Sequence, residues 1–171
     1  MEASNTNTSW KDKPPYAFTG ESKSFKAKYS AQCYCGSVQY EINDDPVDST
    51  YCHCKGCQRL QGAPLQWASI FHKSSIRFTK GVDQLIFYNN STNKQTHELP
   101  CKVYCRDCRT PLADEGRNMW LAFPMLFKQF DEMKEKLRPS CHLFYGQRCV
   151  DIKDGLPKFE GHKNKSQQIQ E

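Results

Sequence analysis

The sequence predicts a mainly β protein whose folded part spans most of the chain. Short apolar runs alternate with polar residues, and Gly, Pro and Asn lie between these runs. The aromatic side chains lie almost entirely between Tyr29 and Phe159. A chain of 171 residues with 37% hydrophobic residues is long enough for one domain with a hydrophobic core.

Each predicted element follows from a local pattern. Strands are predicted at residues 38–42, 65–71, 76–78, 85–87, 102–104, 119–123 and 141–145. Gly81 indicates a turn between two of these strands. Two helices are also predicted: a short one at residues 57–61 that ends at Gly62, and one at residues 125–137 between two prolines.

Composition divides the chain into three parts. Residues 1–28 are rich in Ser, Thr, Asn and Lys, which predicts a polar, flexible tail with a short docked piece around Tyr16 and Phe18. Residues 29–160 are predicted to form the folded domain, and residues 161–171 a second polar tail.

Charge and hydropathy exclude two classes of partner. The net charge of +5 is spread without a basic stripe, so no nucleic-acid partner is expected. No run of 18 apolar residues occurs, so no membrane span is expected. The first ten residues do not resemble a secretory signal, which predicts a cytoplasmic protein, with the nucleus as the alternative. Thiols stay reduced in both compartments, so clustered cysteines favour metal binding.

The first and third cysteine clusters predict one closed metal site. Cys33 and Cys35 are separated by one residue and precede Gly36, a turn residue. Cys105 and Cys108 form a Cys-x-x-Cys knuckle. Two thiolates on each turn can hold two edges of a tetrahedron, the arrangement of structural zinc. The two turns are about 70 residues apart, so metal binding would contribute folding free energy.

The middle cluster predicts a different kind of site. Cys52, Cys54 and Cys57 lie within six residues. Three thiolates can cap one face of a metal ion and leave its fourth position open, as in catalytic zinc. They also exceed the charge of Zn²⁺ by one, so the ion suits a soft substrate thiol better than water activation. Lys55 and Arg59 could offset the negative charge.

Spacing alone leaves alternatives open. The middle cluster could be a second closed site whose fourth ligand is His53, Cys101, Cys141 or Cys149. His53 stands between two ligands and is expected to point away from both. An iron–sulfur centre or redox disulfides would also use clustered cysteines.

The three motifs together resemble those of a known family. They are Cys33-Tyr-Cys35-Gly, Cys52-His-Cys54-Lys-Gly-Cys57 and Tyr-Cys105-Arg-Asp-Cys108. In this order they resemble the glutathione-dependent formaldehyde-activating enzyme family, which also includes centromere protein V. The resemblance runs from about Tyr29 to Phe159 and includes Arg77-Phe-Thr-Lys-Gly81.

The resemblance implies a β-tent zinc-bound fold with one or two short helices. It implies a structural zinc at Cys33, Cys35, Cys105 and Cys108 and a catalytic zinc at Cys52, Cys54 and Cys57, hence two zinc ions per chain. The family's activity joins formaldehyde and glutathione into S-(hydroxymethyl)glutathione, formally a carbon–sulfur lyase reaction in reverse. Glutathione is therefore the implied co-substrate.

One position departs from the family pattern. The family usually has Gly after the last cysteine of the third motif, where this chain has Arg109. Gly permits a positive φ at a knuckle, whereas Arg adopts it only at a cost. Either the knuckle closes differently or Arg109 faces the substrate.

The reaction also needs a group that moves a proton to or from an oxygen. The candidates are His53, Arg109, Asp114 and Glu115, with Tyr104 and His142 as further options. Asp114-Glu115-Gly116 indicates a turn before it indicates a catalytic role.

The predicted function is a zinc-dependent lyase that acts on a small molecule, such as a glutathione adduct of an aldehyde. One alternative is a zinc-dependent dehydratase, isomerase or ring-opening enzyme that uses no glutathione. The other is a non-catalytic zinc scaffold for a macromolecular partner, which the short, mildly charged N-terminal tail disfavours. A homo-oligomer is compatible with the sequence.

Overall fold

The computed structural model describes residues 8–17 and 24–170 and has a mainly β architecture. The described residues form ten strands. They are β1 (Tyr29–Gln32), β2 (Gln39–Ile42), β3 (Asp48–Cys52), β4 (Gln66–His72), β5 (Ile76–Lys80), β6 (Leu85–Tyr88), β7 (Cys101–Cys105), β8 (Pro111–Glu115), β9 (Met119–Ala122) and β10 (Cys141–Leu143).

The strands form two sheets. The smaller sheet has the order β1-β2-β5, and the larger has the order β10-β3-β4-β9-β8-β7-β6. All neighbouring pairs are antiparallel except β10 and β3, which are parallel. The predicted mainly β fold class is confirmed.

The hydrophobic core lies between the two sheets and is rich in aromatic residues. Trp120 on β9 is fully buried, and its ring packs against those of Tyr40 and Phe78 from the smaller sheet. Tyr29 on β1 packs against Phe127. Burial of such large side chains contributes much of the free energy that holds the sheets together.

Two short α-helices accompany the sheets. Helix α1 (Lys55–Gln61) begins after β3 and ends at Gly62, which adopts the left-handed conformation at φ 60°. This end agrees with the sequence prediction. Helix α2 (Phe130–Met133) is much shorter than the predicted helix at residues 125–137. The backbone of Lys128 donates to Ser30 on β1, which ties the segment to the smaller sheet and interrupts helical bonding.

Three strands lie outside the predicted set: β1, β3 and β8. The interpretation of Asp114 and Glu115 as turn residues is wrong, because both lie in β8. Strand β8 pairs with β7 on one side and β9 on the other, and this tertiary pairing overrides the local turn preference.

Parts of the two predicted tails pack on the domain. Tyr16 is buried, and the Trp10 ring lies 4.7 Å from that of Phe87. Phe18, the other half of the predicted docked piece, lies outside the described residues. Near the other end, Phe159 and Gln168 form an isolated antiparallel bridge. The predicted domain boundaries stay a prediction.

Among the described residues, no helix has the length and hydropathy needed to cross a membrane.

Candidate metal centres

The four cysteines of the first and third motifs meet at one point, called here the four-cysteine cluster. The sulfurs of Cys33, Cys35, Cys105 and Cys108 all lie within 4.8 Å of one another. Cys33 and Cys35 are 3.5 Å apart, and Cys35 and Cys105 are 3.8 Å apart. Tetrahedral zinc with bonds of about 2.3 Å would place its sulfurs about 3.8 Å apart. The donor set therefore fits zinc in both chemistry and spacing.

Local hydrogen bonds favour the thiolate form of Cys35 and Cys108, whereas burial raises the pKa of Cys33 and Cys105. The backbone amide of Val38 donates to Cys33 Sγ at 3.3 Å. Hydrogen bonds from Ser37 lower the pKa of the Cys35 thiol. Burial raises the pKa of Cys108, but hydrogen bonds from Thr110 and backbone amides outweigh burial and lower the pKa to about 6. Thiolates are the form that binds metal.

Arg109 belongs to the loop of the four-cysteine cluster. Its backbone φ is 62°, the left-handed conformation that Gly favours, and its amide donates to the Cys105 carbonyl at 3.0 Å. The knuckle therefore closes with the backbone conformation that glycine would adopt, and a residue with a Cβ adopts it only at a cost in free energy. The Arg109 side chain itself is exposed.

The middle motif forms a second group, called here the three-cysteine cluster. The sulfurs of Cys52, Cys54 and Cys57 lie within 4.8 Å of one another, and all three residues are partly buried. Cys52 ends β3, while Cys54 is the N-cap of α1 and its sulfur accepts from the amide of Cys57 at 3.3 Å. The strand-to-helix turn thus gathers the three ligands, and three thiols in this spacing fit zinc.

Hydrogen bonds among the three thiols shift their pKa values in opposite directions. Hydrogen bonds from the Cys52 and Cys57 thiols lower the pKa of Cys54 to about 2. The same bonds raise the pKa of Cys52 to about 11 and raise that of Cys57 further.

The two clusters differ in the number of their ligands. Within residues 8–17 and 24–170, no fourth His, Cys, Asp or Glu ligand atom joins the three-cysteine cluster. The four candidates for a closed site all lie elsewhere. Cys141 is buried on β10, Cys149 is exposed, and Cys101 faces Glu115.

The fourth candidate, His53, is not among the residues whose ligand atoms group with the three sulfurs, and its ring bonds to another histidine. Its Nε2 lies 2.9 Å from Nδ1 of His142, whose Nε2 lies 3.0 Å from the Asp154 carboxylate. Burial raises the pKa of Asp154, but bonds from the Leu156 amide and His142 outweigh it, so the ionised carboxylate accepts from His142. Burial then lowers the pKa of His53 to about 4, and its Nδ1 has no partner among the described residues.

Gln147 anchors the start of α1 from the other side. Its side-chain oxygen accepts from the amide of Lys55 at 2.9 Å, and its backbone oxygen accepts from the Gln58 side chain at 2.9 Å. The three-cysteine turn is therefore held by contacts from two later parts of the chain, His142 and Gln147.

Asp114 and Glu115 are neighbours on β8, but they lie in different surroundings. Asp114 contacts Lys102 and Gln66, and Gln66 pairs across the strands with Cys52. Glu115 accepts hydrogen bonds from Tyr16, His97 and Lys73 and lies 3.9 Å from Cys101 Sγ. The structure brings Asp114, and not Glu115, to the side of the three-cysteine cluster.

The Glu115 group also contains three potential metal ligands: His97, Cys101 and Glu115. The ammonium of Lys73 already neutralises the buried Glu115 carboxylate. Burial raises the pKa of the Cys101 thiol to about 12, which keeps it protonated. These contacts favour a structural ion-pair network over a metal site.

Sequence patterns do not indicate several of these contacts. Lys102, Gln66 and Gln147 are ordinary polar residues in the sequence, and each reaches the three-cysteine cluster's surroundings through long-range packing. The sequence pattern also does not indicate the contact between Asp154 and His142.

The fold and the two cysteine clusters define a mainly β protein with two candidate metal-binding centres. The chain belongs to the glutathione-dependent formaldehyde-activating enzyme family, whose sequence profile matches residues 28–147. Membership indicates a glutathione-related, aldehyde-activating or lyase-like function, and the cysteine clusters fit zinc.

A solved Rhodobacter sphaeroides protein is similar in structure, with a TM-score of 0.47 and 20% identity, over 58% of this chain and 87% of that one. A search of curated protein sequences finds no match.

Proposed function

We propose that this protein is a zinc-dependent carbon–sulfur lyase-type enzyme that acts on a small molecule. The substrate class is an adduct between a thiol such as glutathione and an aldehyde or related electrophile. Two zinc ions per chain are proposed, one in the four-cysteine cluster and one in the three-cysteine cluster, whose residues Cys52, Cys54 and Cys57 form the reactive site.

The contrast between the two clusters carries this proposal. The first group has four sulfurs, whereas the second has three, and no fourth ligand atom joins it from the described residues. When bound there, zinc would hold a substrate thiol as its fourth ligand and lower the pKa of that thiol. Family membership supports glutathione as the thiol.

The chain's own residues position the sulfurs of the reactive site. The Cys57 amide and the α1 N-terminus face Cys54 Sγ, which fixes one sulfur of the site. His142 and Gln147 hold the turn through contacts with His53 and with the start of α1. His53 is proposed as a positioning residue because its ring is engaged by His142.

Metal and thiol binding test the proposal together. Metal analysis is expected to give two zinc ions per chain, and Cys54→Ser is expected to give one. In cobalt-substituted protein, added glutathione should change the thiolate charge-transfer band. Cys54→Ser should abolish this change and the formation or breakdown of S-(hydroxymethyl)glutathione.

Cys149→Ser is the matched control, because Cys149 is an exposed cysteine outside both clusters. It should keep two zinc ions, the spectral response and the activity. A Cys54→Ser protein with one zinc ion and full activity would overturn the proposal. A cobalt band that does not respond to glutathione would favour the zinc enzyme that uses no glutathione.

A further inference from the structure

A buried polar network lies beside the three-cysteine cluster, and it consists of Gln66, Lys102 and Asp114. Gln66 on β4 is the cross-strand partner of Cys52, so their side chains share one face of the sheet. Gln61, on the helix that carries Cys57, donates to Gln66 Oε1 at 3.1 Å. The network therefore contacts both elements that position the three sulfurs.

Lys102 places a cation in this network. Its Nζ donates to Asp114 Oδ2 at 2.6 Å and lies 3.5 Å from Gln66 Oε1. Its side chain is only 10% exposed. An ammonium has three N–H donors. Two of them have these acceptors, and the part of the chain that the structure describes supplies none for the third.

The Asp114 carboxylate keeps this cation charged. Burial lowers the pKa of the Lys102 ammonium, but the nearby negative charge of Asp114 outweighs burial, and the pKa is raised. Lys102 is connected to the cluster through Gln66, the cross-strand partner of Cys52.

Asp114 adds an acceptor next to this donor. Its Oδ2 accepts from both Lys102 and Gln66, at 2.6 and 2.8 Å. Its Oδ1 is buried and has no partner among residues 8–17 and 24–170. Buried polar atoms nearly always have a partner. A spare donor and a spare acceptor on one ion pair match a ligand oxygen that can accept and donate.

We propose that Lys102 and Asp114 form a subsite for the carbonyl or hydroxyl oxygen of the substrate, beside the sulfur bound at the three-cysteine cluster. This inference rests on the proposed function, which supplies the carbonyl compound, and it adds the residues that would contact the oxygen. Lys102 is the catalytic residue, and Gln66 is a positioning residue because it contacts Lys102 and Asp114 but not the substrate.

The chemistry of the addition explains why a cation is needed. As the thiolate sulfur bonds to the carbonyl carbon, the C=O π electrons move to the oxygen, which becomes negative. The Lys102 N–H donates to that oxygen and stabilises the charge. The oxygen then takes one proton from solvent. Because the thiol released one proton to solvent earlier, no net proton is gained or lost. The resulting hydroxyl can accept from Lys102 and donate to Asp114 Oδ1.

Two small thiols test the subsite without catalysis. Thioacetate carries an oxygen on the carbon bonded to sulfur, and ethanethiol carries none. Both are titrated into cobalt-substituted protein, and their dissociation constants are read from the charge-transfer band. Removing the charge of Lys102 weakens the binding of both thiolates by a similar factor. The ratio of their two dissociation constants therefore reports only the contact with the oxygen. We expect Lys102→Met to reduce the relative affinity for thioacetate by about tenfold.

The controls separate charge, folding and function. Lys136→Met removes an exposed lysine, 58% exposed, and should leave the ratio unchanged. If Lys102→Met does not fold, the double variant Lys102→Met, Asp114→Asn is used in its place. The second substitution removes the carboxylate that the first leaves unpaired. An unchanged ratio in the folded variant overturns the subsite alone. If ethanethiol leaves the wild-type band unchanged, the proposed function and the subsite both fail.

Discussion

At the scale of single residues, Arg109 shows how a knuckle can keep its shape without glycine. Its φ of 62° costs a side-chain-bearing residue roughly 1–2 kcal/mol. Glycine would remove this strain. Its greater conformational freedom in the unfolded chain would, however, lower the free energy of unfolding by about 0.5–1 kcal/mol. We therefore expect Arg109→Gly to stabilise the protein by about 0.5–1 kcal/mol, measured by thermal or denaturant unfolding.

Arg106 provides the matched control for this substitution. It is exposed in the same loop and is not among the residues with positive φ. Arg106→Gly should therefore destabilise the protein by about 0.5–1 kcal/mol. Equal effects of the two substitutions would show that the conformation of Arg109 is not strained.

Glu115 makes stability depend on pH. Burial raises its pKa, but hydrogen bonds from His97, Lys73 and Tyr16 outweigh burial and hold the pKa below its usual value. The folded state therefore favours the ionised carboxylate. Its contribution is present above the unfolded pKa of about 4.3 and is lost as pH falls through the folded pKa.

Glu115→Gln tests this contribution. At pH 7 the variant should lose about 3–5 kcal/mol, because the largely buried Lys73 ammonium keeps no charged partner. The difference from wild type in the free energy of unfolding should shrink as pH falls below about 4. A difference that stays constant from pH 7 to pH 3 would contradict an ionised Glu115. Asp83→Asn, at an exposed ion pair, should have little effect at any pH.

Residue types and spacing were sufficient to predict that the seven clustered cysteines form two groups. Ligands within one turn are close in sequence, so spacing alone predicts their contact. The surroundings were not predictable in this way. Lys102 and Gln66 are 36 residues apart in sequence, and their contact depends on how the larger sheet folds.

At the scale of elements, the turn between β5 and β6 depends on a close backbone approach at Gly81. A Cβ at this position would lie 2.1 Å from the Ser37 carbonyl oxygen, and φ is 78°. The sequence predicted the turn, but not the approach to Ser37, which lies in the loop of the four-cysteine cluster. The β5–β6 turn and this loop are therefore packed backbone against backbone.

Gly81→Ala and Gly155→Ala separate strain from steric clash. Gly155 has a nearly equal φ of 76°, but a Cβ there would meet no atom within 4 Å. We expect Gly155→Ala to cost roughly 1–2 kcal/mol from φ alone. Gly81→Ala should cost at least about 2 kcal/mol more, because the Ser37 backbone must move. Equal losses in denaturant unfolding would mean that the loop adapts without cost.

Segments whose conformation depends on tertiary contacts were the hardest to predict from local patterns. The turn interpretation of Asp114-Glu115 was wrong because β7 and β9 hold β8 in an extended form. The predicted helix at residues 125–137 is interrupted because Lys128 bonds to β1. Strands with clear alternation, such as β2, were predicted correctly, because one face is buried against Trp120.

At the scale of the whole molecule, the two cysteine clusters occupy different places in the topology. Cys33 and Cys35 follow β1 of the smaller sheet, while Cys105 ends β7 of the larger sheet. A metal ion in the four-cysteine cluster would therefore join the two sheets. The three-cysteine cluster lies within a single strand-to-helix turn, so an ion there joins no distant parts of the chain.

This difference predicts that loss of the two ions has unequal effects on stability. Cys108→Ser and Cys54→Ser should each reduce zinc from two ions to one per chain. Cys108→Ser should lose several kcal/mol of stability, because structural zinc contributes roughly 10 kcal/mol in small zinc domains. Cys54→Ser should lose much less, since the segment from Cys52 to Cys57 is also held by His142 and Gln147. Thermal unfolding with metal analysis checks this, and a larger loss for Cys54→Ser would mean that the three-cysteine cluster is the structural centre.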